Sequence, residues 1–243
     1  ELFSPTYLKT IHNQLSAILN HEVNMYGLKD NVARKAGTMG KEENKEMEFW
    51  TQEEFQAFLD CVADKPISYY AFEMLYWTGI REGELLALTP ADFNFEKKTL
   101  RINKSYQRLE GKDVITDPKT PKSNRTIVMP DFLAVEMENF ISSLYGIKDD
   151  DRIFTISKSY LHHEMDRGAK LAGVKRIRIH GLRHSHISLL INLRFSALAI
   201  GERVGHEAVD ITYHYAHLFP TVQTDMAAQL ETEREALVNV RKE

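Results

Sequence analysis

From Ile67 to Trp77 the chain reads ISYYAFEMLYW, apolar nearly all the way round. A helix with one apolar stripe can lie on a core, but one that is apolar on every side must be enclosed by other elements. The segment therefore predicts a central buried helix inside a domain large enough to surround it. With 243 residues, 43% of them hydrophobic, the chain has material for one such domain and part of a second. Thr78-Gly79 stops the helix, so Arg81, which opens a short helix through Leu88, is launched from a rigid corner.

Other elements follow from spacing. Residues 5–36 predict a helix with Ser4 as N-cap and Pro5 at its first position. Leu8, Ile11, Leu15, Ile18, Leu19 and Val23 give it one apolar stripe. Residues 37–48 (GTMGKEENKEME) bury almost nothing and read as a linker. Thr51 and Glu54 form a capping-box pattern ahead of a helix carrying Phe55, Phe58, Leu59 and Val62. Thr99–Gln107, Val114–Thr116 and Arg125–Met129 predict strands, with turns at Gly111 and at 119–124. A stripe of Leu133, Met137, Phe140, Ile141 and Leu144 ends at Gly146. Further helices are expected from a Ser159 cap to Leu171 and from about Gly181 to Leu193. Shorter pieces surround Ile200–Val204 and Ile211–Ala216, the second capped by Asp210. A last helix from about Gln223 holds Met226, Leu230 and Leu237 on one side. The fold class is mainly α with a small three-stranded antiparallel sheet.

Charge is unevenly distributed. Lys+Arg 31 against Asp+Glu 35 gives a net −4, unusual for a protein that holds a polyanion. From Lys97 to Arg125, however, nine basic residues meet only Glu110, Asp113 and Asp117, and from Arg167 to Arg183 six basic residues meet no acid. Two such blocks point to one positive face turned to a polyanion, with Arg101, Lys104, Lys122, Arg125, Arg176 and Arg178 as candidate contacts. The plain alternative is solvated surface. No apolar run approaches the ~18–20 residues of a membrane span. A single cysteine, Cys61, excludes an internal disulfide and a cysteine-cluster metal site, which fits a reducing cytoplasm. The chain opens at Glu1 with neither an initiator Met nor a signal-like region, so it is expected to be part of a longer protein.

The candidate chemistry lies in an ordered set: Arg81, Lys119, His180, Arg183, His206 and Tyr215. Fixed cations, a proton donor and a nucleophile that can hold a phosphoryl group suit metal-free cleavage of a phosphodiester. Glu84, one turn beyond Arg81, can orient its guanidinium; alone, the pair would be an ordinary surface contact. His180 and Arg183 share a face at a helix start, where free N–H groups favour an anion. A lysine at a hairpin tip, Lys119 or its neighbour Lys122, can protonate a departing 5′ oxygen. Tyr215 has Tyr213 as a competitor on another face, and both can also be read as core aromatics. A metal held by His180, His184 and His186 is disfavoured because residues two apart on a helix diverge. His184 and His186 are instead expected in the core or supporting the reacting groups, and neither a metal nor a cofactor is expected.

The motifs TGIREGELLAL, HGLRHSH, VGH and Tyr215-Ala-His217-Leu, with Lys119 between the first two, together resemble the tyrosine recombinase (phage integrase) family over residues 50–220. They look most like integrases of Gram-positive phages and conjugative transposons. The resemblance implies a catalytic domain over 49–222, preceded by the end of a helical core-binding domain over 1–36 and a linker over 37–48. It also implies a C-terminal helix over 223–243, packed in cis or exchanged between subunits. The implied activity is site-specific recombination for integration and excision of a mobile element, through a 3′-phosphotyrosine on Tyr215. The roles implied are phosphate clamping for Arg81 and Arg183, hydrogen bonding for His180 and His206, and acid catalysis for Lys119, with His217 and His184 in support. The implied partners are double-stranded DNA and further copies of the chain, a tetramer in the synaptic complex. A type IB topoisomerase-like relaxer and a non-catalytic DNA-binding regulator remain as alternatives.

Overall fold

The computed structural model describes residues 3–40, 47–117, 123–206, 215, 230–232 and 234. It divides into two compact units, Glu1–Met47 and Glu48–Glu243. In the first, α1 (Pro5–Tyr26) starts at Ser4, whose hydroxyl accepts from the Tyr7 N–H, and ends at Gly27 with φ 77°. The expected single helix over 5–36 therefore breaks at Gly27. A second short helix, α2 (Val32–Lys35), starts at Asn31, whose side-chain amide donates back to the Ser16 carbonyl at 2.8 Å. The left-handed glycine lets the chain fold back where a continuing helix would leave the Asn31 amide without these partners.

The second unit is built around α4 (Pro66–Thr78), whose middle is buried as its all-round apolarity requires. Against it lie α3 (Gln52–Asp60), started by the reciprocal Thr51–Glu54 capping box, then α6 (Asp131–Ser143) and α8 (Ile179–Asn192). The Phe55 and Tyr76 rings stack at 3.8 Å and Trp50 meets Phe58 at 4.8 Å, so α3 and α4 are joined through aromatic faces. The Trp50 N–H donates to Ser185 Oγ at 2.8 Å, tying the start of the unit to α8. On α7 (Lys158–Ala172), Gly168 lets Phe58 approach closely: an added Cβ would lie 2.5 Å from its ring. The cap of α7 is Ser157 rather than Ser159; its hydroxyl accepts from the Tyr160 N–H.

The sheet departs from expectation in its strands: Phe93–Asn94 joins it, and the strand expected around Val114–Thr116 leaves it for a separate hairpin. The continuous strand expected over Thr99–Gln107 is two strands, β2 (Thr99–Ile102) and β3 (Ser105–Leu109). A three-stranded antiparallel sheet forms from β1 (Phe93–Asn94), β2 and β5 (Arg125–Val128), while β3 pairs with β4 (Lys112–Thr116) as a separate hairpin. At the break, Lys104 turns inward to a buried anchor, with its Nζ 2.7 Å from Asp92 and 2.9 Å from Thr89 Oγ1. That pairing re-aims the chain, and alternation of apolar residues cannot reveal it. The hairpin turns through Glu110 and Gly111, both at positive φ, as a two-residue loop requires.

After α8, α9 (Ala197–Val204) starts at a Ser196 cap and ends at Gly205 with φ 71°. The helices expected over Ile211–Ala216 and from Gln223 lie outside the described residues, apart from Tyr215 and a few positions near 230. Among the described residues no helix is long and apolar enough to cross a membrane.

Gly79 joins this core to the site. Its φ is 65°, and a Cβ there would lie 2.6 Å from the His186 ring. We expect Gly79→Ala to lower stability by at least ~1–2 kcal/mol, from left-handed strain plus that clash. Urea unfolding checks this; an unchanged midpoint would refute it.

Candidate active site

Arg81 sits at the N-cap of α5 (Glu82–Leu85), held there by Glu84. Its Nη1 donates to Glu84 Oε1 and its backbone N–H to Oε2, both at 2.8 Å. The i, i+3 spacing makes this local. The guanidinium is half-buried, and its Nη2 reaches the Gly205 carbonyl at 3.4 Å. Arg183, on the first turns of α8, is 1% exposed. Its Nη1 donates to the Gly79 carbonyl at 2.6 Å and its Nη2 to the Val204 carbonyl. Arg125, on β5, donates from Nε to the Arg203 carbonyl at 2.9 Å. Three guanidiniums from separate parts of the chain thus converge on three successive carbonyls, Arg203, Val204 and Gly205. These close the C-terminus of α9, where unpaired carbonyls and the helix dipole attract cations. His206 follows directly, its N–H bonded to the Gly201 carbonyl at 2.9 Å.

The histidines form a second line. The His180 and His184 rings meet edge to face at 4.8 Å, and His184 Nδ1 hydrogen-bonds the Tyr215 hydroxyl. Tyr215 is 2% exposed. Burial raises its phenol above the ordinary value, and the Arg183 charge offsets part of that rise. Burial, then the charges of Arg183 and Arg81, pushes His206 down to about 3. His180 opens to solvent, yet protein atoms crowd its ring enough that burial, followed by the same two arginines, lowers its pKa as well. At neutral pH both rings are therefore neutral, each offering one N–H and one lone pair.

Arg183 carries the electrostatic peculiarity of the site. Burial and the nearby Arg81 charge push its pKa down to about 9. Among the described residues no carboxylate lies within ion-pair distance of it, and its buried Nε has no hydrogen-bond partner. A desolvated cation is normally paired, so this one is suited to an anion brought from outside.

In front of Arg81 and His180 opens a cleft of about 680 Å³, lined also by Glu82, Lys104, Gln107 and Lys158. Lys158, at the start of α7, is a cation facing the cleft that nothing in its sequence context distinguished. Glu82 brings an acid to the same wall. Burial raises its pKa while His162, whose Nε2 is 3.9 Å away, and Lys158 oppose the rise.

The remaining candidates divide. Lys104 lines the cleft but is tied to Asp92. Arg101 is exposed, 3.9 Å from Asp92, and Arg178 is exposed at the cap of α8. Arg176 pairs with Asp166 at 2.7 Å on an exposed face. Arg125 differs from the other candidates: its side chain is 6% exposed and paired with Glu84 at 2.9 Å. His186 turns away from His180 and His184; it is buried and its Nε2 accepts from Arg203 Nε at 3.0 Å. Lys119, Lys122, Tyr213 and His217 lie outside the described residues.

With this geometry in view, comparison with known proteins is informative. Residues 48–221 match the phage integrase family. The ICEBs1 integrase of Bacillus subtilis (strain 168) is 31% identical over 243 residues, covering 92% of this chain and 65% of that protein. The integrase of Staphylococcus phage L54a is 31% identical over 179 residues, covering 66% of this chain and 51% of its own length. The chain thus spans under two thirds of these relatives. Among solved structures, the Tn1549 transposon integrase in complex with a circular intermediate DNA superposes with a TM-score of 0.76 at 20% identity, covering 96% of this chain and 80% of that one. A lambda integrase dimer bound to a COC′ core site gives 0.57 at 17% identity, covering 82% and 71%. At these identities the structural likeness establishes the fold.

The neutral histidines make stability pH-dependent. His186, like His206, is held at about 3 in the fold, by burial first and Arg203 second, against an ordinary 6.5. Between these values the unfolded chain binds more protons than the folded one. Their contribution is therefore complete above pH 6.5 and lost as pH falls toward about 3. We expect the urea midpoint to fall across that window, and to fall less in His186→Gln. Equal slopes in the two proteins would show that His186 is not a source of the dependence.

Proposed function

The chain belongs to the phage integrase family, and on that premise we propose that it cuts and rejoins DNA strands through a covalent 3′-phosphotyrosine, as a site-specific recombinase of a mobile element or prophage. The observation that carries the reading is Arg183. A buried guanidinium beside a second arginine, with no carboxylate at ion-pair distance among the described residues and its Nε left without a partner, suits a phosphate whose non-bridging oxygens carry the missing charge.

In this reading the Tyr215 oxygen attacks the scissile phosphorus in line, forming the P–O(Tyr) bond as the P–O5′ bond breaks. The departing electron pair stays on the 5′ oxygen, which takes a proton from Lys119. The tyrosine proton passes to His184 Nδ1, which is already hydrogen-bonded to that hydroxyl. Arg81 and Arg183 hold the two non-bridging oxygens, and the Arg183 charge favours the phenolate that burial alone would disfavour. His180 and His206 each donate one N–H to the developing charge. The bond energy is kept in the phosphotyrosine, and a 5′-hydroxyl from a partner strand reverses the step to exchange strands. No cofactor is needed.

The partners proposed are double-stranded DNA and further copies of the chain, a tetramer at synapsis. Residues 1–36 are read as the end of a core-binding domain, 37–48 as the linker and 223–243 as a segment exchanged between subunits. Deletion of 223–243 should then weaken higher-order assembly on DNA, measured by native gel; unchanged assembly would return the segment to its own domain.

The deciding experiment is incubation with a nicked suicide duplex in EDTA, followed by a denaturing gel. Wild type should give a slow covalent band. Tyr215→Phe should give none while still binding DNA, and Arg183→Lys should slow the band roughly 10²–10³-fold. A band surviving in Tyr215→Phe would move the nucleophile elsewhere, with Tyr213 next. Relaxation of supercoils without strand exchange would favour a topoisomerase-like enzyme.

A further inference from the structure

We infer that Arg125 is a positioning residue for the cleavage step, tying the carboxylate that holds Arg81 to the helix end that carries His206. The inference rests on the phosphotyrosine reading above. Every nitrogen of the Arg125 guanidinium is engaged. Nε donates to the Arg203 carbonyl at 2.9 Å, Nη1 to Glu84 Oε1 at 3.1 Å and the Ser123 carbonyl at 3.0 Å, and Nη2 to Glu84 Oε2 at 2.9 Å. With 6% of the side chain exposed, it cannot turn toward a phosphate without breaking all of these bonds.

Its effect on the chemistry runs through Glu84. Both Glu84 oxygens are shared: Oε1 between Arg81 Nη1 and Arg125 Nη1, Oε2 between the Arg81 N–H and Arg125 Nη2. The carboxylate is buried, which pushes its pKa up, and Arg125 and then Arg81 outweigh that effect so that it stays ionised. Three charged groups face it: Arg81 from the start of α5, Arg125 from β5 and, through its charge, Arg183 from α8. Without Arg125, Glu84 keeps Arg81 as its remaining ion-pair partner among the described residues, and burial favours protonation. A protonated Glu84 no longer holds Arg81 by charge. The Arg203 carbonyl loses its donor at the same time, three residues before His206. Lysine is no substitute, because one ammonium cannot span both carboxylate oxygens and the carbonyl.

The test uses the full chain: single-turnover adduct formation on the suicide duplex at saturating protein, across acid and neutral pH. DNA affinity and urea stability are measured alongside for wild type, Arg125→Gln and Arg125→Lys. In Arg125→Gln we expect unchanged DNA affinity and an adduct rate lowered roughly 10- to 100-fold, as when a group that orients a ligand is lost. Its rate should fall further on the acid side than that of wild type, whose histidines titrate in both proteins, because Glu84 must be ionised to hold Arg81. Arg125→Lys keeps the charge and loses the fork, so it should be slow without the added acid limb. A wild-type rate and pH profile in Arg125→Gln would overturn the inference, even if the variant were less stable. So would weakened DNA affinity with an intact rate, which would make Arg125 a DNA contact. If Arg125→Gln does not fold, a wild-type rate in Arg125→Lys overturns it. A wild type that forms no adduct defeats the phosphotyrosine reading itself, and this inference with it.

Discussion

Three carbonyls at the end of α9 organise the site. Arg81 and Arg183 are like charges, and in a part-buried setting their repulsion is felt: Arg81 contributes to the depressed pKa of Arg183. Something other than the substrate has to hold them close beforehand. The C-terminus of α9 does so with the carbonyls of Arg203, Val204 and Gly205, which accept from Arg125, Arg183 and Arg81 in turn. Carbonyls carry only partial negative charge, so they orient a guanidinium without neutralising it as a carboxylate would. Arg183 thus stays directed, with no carboxylate at ion-pair distance among the described residues.

The same atoms belong to the core. The Gly79 carbonyl that accepts from Arg183 is the stop of the buried helix α4. Its neighbour Trp77 offers its carbonyl to Arg203, which in turn donates to His186. Site and core are therefore coupled, and a change in the packing of α4 against α8 is transmitted to the clustered arginines. The structure also holds the Tyr215 hydroxyl against His184, where burial disfavours the phenolate.

Some of this was legible in the chain. Arg81 and Glu84 lie three residues apart, and helical spacing alone brings them together. The all-round apolarity of 67–77 foretold the buried α4, and Thr51 with Glu54 foretold the start of α3. Other contacts left no local trace. His184 and Tyr215 are 31 residues apart, and Arg125 is 41 from Glu84. The basic run that holds Arg125 looks like exposed surface, since composition does not say which cation meets a buried acid. Lys104 breaks the expected strand for the same reason: its partner Asp92 is twelve residues back and hidden.

The sequence by itself determined the helical class, the caps and stops, and the order of chemically suited residues, because these depend on neighbours within about one turn or one strand repeat. Only the tertiary structure decided which cations face outward and which are locked, where the extended run divides, and that three separate arginines meet at one helix end. Those outcomes depend on burial and on partners distant in sequence, where the cost of leaving a buried charge or carbonyl unpaired selects among arrangements the chain alone leaves open.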